Sequence, residues 1–72
     1  MMFLECESGD LINLNEVKVI YVRSGKSIVA KFEWSEKSIP VMIWEGDNLE
    51  ETKIKFESLK RELGIIVKRW HG

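Results

Sequence analysis

Apolar and polar residues alternate along the first two thirds of the chain, and after Gly46-Asp47-Asn48 the repeat lengthens to three and four. An alternation of two is the mark of a half-covered strand, and a three-four repeat marks one face of a helix. Strands are therefore predicted over residues 2–7, 11–13, 16–23, 27–34 and 39–45. In the first, Met2, Leu4 and Cys6 face opposite Phe3, Glu5 and Glu7. Ser8-Gly9-Asp10 turns the chain back, and Asn13 and Asn15 around Leu14 mark a bend. From Glu16 to Arg23, Val17, Val19 and Tyr21 face one way, while Lys18, Ile20 and Val22 face the other. Ser24-Gly25-Lys26 supplies a hairpin turn, since glycine accepts a positive φ.

The next strand is the most regular, with Ile28, Ala30, Phe32 and Trp34 on one face and Val29, Lys31 and Glu33 on the other. A turn centred on Glu36-Lys37 leads to Ile39, Val41 and Ile43 opposite Met42 and Trp44. Pro40 lacks an N–H, which places that end at an edge or outside the ladder. Asn48 with Glu51 fits a capping box, with Asp47 and Glu50 as the competing register. Leu49, Thr52, Phe56, Leu59 and Leu63 then form one helical stripe; Glu51–Lys55 and Glu57–Arg61 pair on the opposite side, and Ile54 falls off the stripe. Gly64 stands where a helix of residues 49–63 should stop, and residues 65–70 read as a short strand or a tail packed back on the body.

Strands followed by a helix make a two-layer α+β domain, an antiparallel meander of four to five strands with the helix on one face. One helix covers one face of such a sheet, so the other face is exposed, self-associated or curled into a small β-barrel. With Ile39, Val41 and Ile43 under the helix, Ile20, Val22, Met42 and Trp44 are expected on the uncovered side. Apolar and aromatic residues gathered on an uncovered sheet resemble a protein interface. These four are the candidate contact residues, and the expected partner is a second copy, a twofold dimer first, or a larger protein.

Composition narrows the choice of chemistry. The chain has 72 residues, 44% hydrophobic and 32% charged, which is enough for one small folded domain over residues 1–72. The longest apolar run, Ile39 to Trp44, is far below the roughly 18 residues of a membrane span. Acidic residues follow the first four apolar ones directly, so no secretory leader is expected, and a lone cysteine suits a reduced, cytoplasmic setting. The formal charge is -1, which argues against a dedicated phosphate-backbone binder. The charge is uneven, however, with an acidic start (Glu5, Glu7, Asp10) and a basic end. Acidic and basic segments of this kind are either neighbours in the fold or complementary patches in an oligomer. Lys60, Arg61, Lys68 and Arg69, with Trp70 available to stack, supply the alternative reading of a nucleic-acid contact.

Catalytic chemistry is not expected. The single histidine, His71, is next to last, a poor place to hold a general base. Cys6 between Glu5 and Glu7 reads as an inert structural thiol, because burial and nearby carboxylates both oppose the thiolate. Gly25-Lys26-Ser27 shares letters with a phosphate-binding loop but lacks its glycine-rich lead and leads into a strand, not a helix. The helical glutamates form no recognisable acid pair, and no spacing implies a metal or cofactor.

Overall fold

A computed structural model describes residues 2–32 and 40–71. The expected Glu36-Lys37 turn, the continuation of a strand to Trp34 and the start of another at Ile39 lie outside the described residues. The strands are β1 (Phe3–Glu5), β2 (Leu11–Asn13), β3 (Val17–Arg23), β4 (Ser27–Phe32), β5 (Val41–Glu45) and β6 (Trp70–His71), with one helix, α1 (Leu49–Leu63). The four strands β5-β4-β3-β6 form one sheet, while β1 and β2 pair only with each other in a two-stranded sheet. The pairings β3–β4 and β4–β5 are antiparallel, and β6 joins β3 in parallel. The architecture is the two-layer α+β fold, with no closed barrel among the described residues. Two details differ from the expected meander: the first hairpin stands apart from the main sheet, and the chain returns through α1 to add a parallel edge strand. That edge strand is residues 70–71, not 65–70.

Local chemistry explains the element ends. The Asn13 side chain accepts the Asn15 N–H at 3.0 Å and caps a 3-10 turn over Leu14–Glu16, the bend read from the paired asparagines. Ser24 and Gly25 both hold positive φ, 57° and 70°, as the centre of a type I′ turn requires, and Lys26 N–H reaches Arg23 C=O at 3.3 Å. β5 starts at Val41, one residue after Pro40. Asn48 Oδ1 accepts the Glu51 N–H at 2.8 Å, which selects the Asn48 register for the helix cap.

Two β-bulges decide which side chains face the helix. Val17 pairs with Phe32 and Val19 with Lys31, so Lys18 is an extra residue in β3. Every residue after it changes face, and Val17 joins Ile20 and Val22 instead of Val19 and Tyr21. In β5, Trp44 pairs with Ile28 and Met42 with Val29, so Ile43 is the extra residue. Trp44 and Met42 therefore lie on opposite faces. The face toward α1 carries Val17, Ile20, Ile28, Ala30 and Phe32, which pack with Ile43, Phe56, Leu59, Leu63 and Val67. Cys6, Ile12 and Leu14 close the same core from the hairpin side. The other face carries the row Met42–Val29–Tyr21–His71.

The helix buries Thr52, Phe56, Leu59 and Leu63 but leaves Leu49 half exposed at its first turn, a departure from the five-residue stripe. Ile54 is exposed, as its position off the stripe implies. Thr52 is wholly buried because its hydroxyl has two carbonyls in reach, Asn48 C=O at 2.8 Å and Lys26 C=O at 3.2 Å. Lys26 C=O also accepts the Gly46 N–H at 2.8 Å, so one carbonyl ties the β3–β4 turn to the entry of α1. Gly46 is required for space: a Cβ there would lie 2.5 Å from the Trp44 ring.

Candidate functional site

The four residues expected to share an uncovered patch do not share one. Ile20 is fully buried, which removes it from any surface contact in this fold. Val22 and Trp44 are half-buried and pack against the core on the helix side. Only Met42, 41% exposed, points away from the helix. The physical cause is the pair of bulges, since each reverses inside and outside for part of its strand.

The nucleic-acid constellation is also divided. Trp70 pairs with Ile20 on the helix side, and its ring meets Phe56 edge-on at a centroid distance of 5.5 Å. Its indole N–H is buried without a hydrogen-bond partner among the described residues. The ring is therefore partly engaged within the fold and is not a free stacking platform. Lys60, Arg61, Lys68 and Arg69 are all at the surface. Lys60 is engaged locally, 3.8 Å from Glu57 and 5.8 Å above the Phe56 ring, so Glu57 pairs with Lys60 and not with the expected Arg61.

The apolar surface lies elsewhere. On the hairpin, Leu4 and Ile12 face inward, and Phe3 and Leu11 project outward at 54% and 65% exposure. Met2, just before β1, is also exposed. Glu5 shares the outer face as the cross-strand partner of Leu11. Glu7 N–H donates to Ile43 C=O at 2.9 Å, which docks the end of the hairpin on β5.

Two clefts flank α1. One, about 430 Å³, runs between the hairpin and the helix and is bordered by Leu4, Cys6, Trp44, Lys55 and Leu59. Cys6 is buried there, and burial first, then the Asp10 carboxylate, pushes its thiol pKa up from 9.0, which suits a structural thiol. The other, also about 430 Å³, lies between the helix and β3, with Val22, Leu49 and Phe56 as its apolar lining and Lys53, Glu57 and Lys60 around them. The sequence reading placed Leu49 in the buried stripe and Lys60 among nucleic-acid contacts, and it did not single out Lys53. Lysines at positions 53 and 60, seven residues apart and so on one helix face, are the signal that was present.

His71 is exposed at the sheet edge opposite Tyr21. Among the described residues, no three of His, Cys, Asp and Glu gather closely enough to hold a metal ion. No helix among them is long and apolar enough to cross a membrane. Fold and surface together define a small two-layer α+β domain with an apolar, acidic hairpin at one side and an apolar, lysine-edged cleft at the other. No family model, curated protein or solved structure matches the chain.

Proposed function

We infer that this chain is a small non-enzymatic protein-interaction module that works through the outer face of the β1–β2 hairpin, with a second copy of itself as the first partner. One observation carries the reading: Phe3 and Leu11 stand exposed on the same face of a two-stranded sheet, although the chain has a well-formed core in which such residues are normally placed. Leaving these two large apolar side chains in water forgoes roughly 1.5–3 kcal/mol of burial for each. A partner that covers them recovers it. Self-association is the form expected from the sequence, and the exposure of Phe3 and Leu11 favours the hairpin over Trp44 and Met42 as its centre.

Sedimentation equilibrium over roughly 5–500 µM tests it, since mass action draws out even weak association at the upper end. Mass should rise above the 8.4 kDa of one chain, and the double substitution Phe3→Ser with Leu11→Ser should hold it there without unfolding the domain. A wild-type mass of 8.4 kDa throughout would sink self-association.

A further inference from the structure

We propose that the cleft between α1 and β3 is the receptor for the β1–β2 hairpin of a second copy, so that copies join head to tail. The proposal rests on the hairpin reading above and adds the surface that receives it.

The first support is charge. Residues 1–17 contain Glu5, Glu7, Asp10 and Glu16 and no basic side chain. Glu7 accepts the Glu45 N–H and Asp10 accepts the Ser8 hydroxyl, whereas Glu5 lies on the outer face with Phe3 and Leu11. The cleft presents Lys53 and Lys60 against Glu57, and Arg61 lies one residue beyond. Lys60 is paired with Glu57, so the lining has a net charge of +1 with Lys53 in excess, and Glu5 on the hairpin's outer face is of the complementary sign.

The second support is shape. The cleft has an apolar lining of Val22, Leu49 and Phe56, and its volume of about 430 Å³ falls within the roughly 300–1,000 Å³ of cavities that take a group larger than one side chain. Leu49, half exposed at the first turn of the helix, is left uncovered by the chain's own fold and forms one wall.

The third is placement. The hairpin packs along the flank of α1 that carries Lys55 and Leu59, and the receptor cleft lies along the flank that carries Lys53, Phe56 and Lys60. A hairpin cannot fill the cleft of its own chain, which lies on the far side of the helix. Two different surfaces in contact make a heterologous interface. Such contacts extend into rings or open chains and do not stop at a twofold dimer.

Complementation between two broken copies tests this. Lys53→Glu with Lys60→Glu removes the cleft's positive charge and leaves the hairpin intact. Phe3→Ser with Leu11→Ser removes the hairpin's apolar face and leaves the cleft intact. All four positions are exposed, so both variants should fold, which circular dichroism checks. The expected result has three parts: wild-type mass passes twice the 8.4 kDa of one chain, each variant alone stays monomeric, and an equimolar mixture forms a one-to-one pair and nothing larger. Raising salt from about 0.1 M to 1 M, which shortens the screening length from about 10 Å to about 3 Å, should weaken wild-type association at least tenfold. Wild-type association that survives in the lysine variant, or a mixture of variants that stays monomeric, overturns the head-to-tail contact and leaves the hairpin reading standing. A wild type that never associates removes both.

Discussion

The central strand β4 and the β1–β2 hairpin are built from similar residues and put to different uses. In β4 every residue but Lys31 is buried, because strands pair on both sides of it and the helix covers one face. In the hairpin the inward residues, Leu4 and Ile12, join the core, whereas the outward Phe3 and Leu11 contact solvent. Neither strand of the hairpin has a second neighbour in its sheet. An apolar side chain adds to stability only where another element covers it. The main sheet should therefore govern whether the domain folds, and the hairpin's outer face whether it associates.

The largest expected effect separates the two regions directly. Ile20→Ala in β3 removes a fully buried side chain and should cost about 2–5 kcal/mol. A domain of this size has a total stability of roughly 4–11 kcal/mol, so the loss is a large share of it. Phe3→Ala on the hairpin should shift monomer stability by no more than about 0.5 kcal/mol. Urea titrations followed by tryptophan fluorescence, at a concentration where both proteins are monomeric, measure the contrast. Comparable losses at the two positions would mean that the outer hairpin face is structural.

Gly46→Ala comes next. Its Cβ would enter the space of the Trp44 ring, and overpacking of that kind costs about 1–3 kcal/mol. The fluorescence of Trp44 should change with the loss, since the ring must move to admit the methyl group. A variant as stable as wild type would show that the Trp44 packing is loose.

Asn48→Ala tests the entry of the helix that separates the hairpin side from the receptor cleft. Loss of the bond from Glu51 N–H to Asn48 Oδ1 should cost about 1 kcal/mol, and Asn48→Asp should restore most of it. Thermal melts of the three proteins decide it; an aspartate variant as weak as the alanine one would remove the cap from the account.

The smallest expected effect is on the hairpin's inner side. The Cys6 thiol has its pKa raised above 9.0 by burial and by Asp10, so the folded state holds the proton to higher pH than the unfolded state does. Its contribution is complete below the ordinary thiol pKa and declines as pH rises above it. Stability measured from about pH 8 to about pH 10.5, a span of about 2.5 units that begins just below the ordinary thiol pKa, should fall less steeply in Cys6→Ala than in wild type. Identical slopes would mean that Cys6 is already solvated in the native state.

Sequence alone determined the elements whose cause is local. Asn48 and the change of repeat after Gly46 set the start of the helix at Leu49; it ends at Leu63, before Gly64 as expected, although Gly64 keeps right-handed φ of -60° and does not act as a left-handed stop. Ser24-Gly25 and Ser8-Gly9-Asp10 mark the two hairpins for the same reason, since a turn needs only its own few residues to take unusual φ values. Tertiary structure alone decided which apolar residues face outward. Nothing in Val17-Lys18-Val19 or Met42-Ile43-Trp44 announces an extra residue, because a bulge forms when packing across a sheet requires a bend there. Each bulge reverses the face of what lies beyond it, so Ile20 went under the helix and Trp44 parted from Met42. Likewise, the separation of β1–β2 from the main sheet and the parallel seat of β6 on β3 depend on contacts between residues far apart in sequence. A period of two describes one strand's faces relative to each other, and only the assembled layers set which of those faces is the inside.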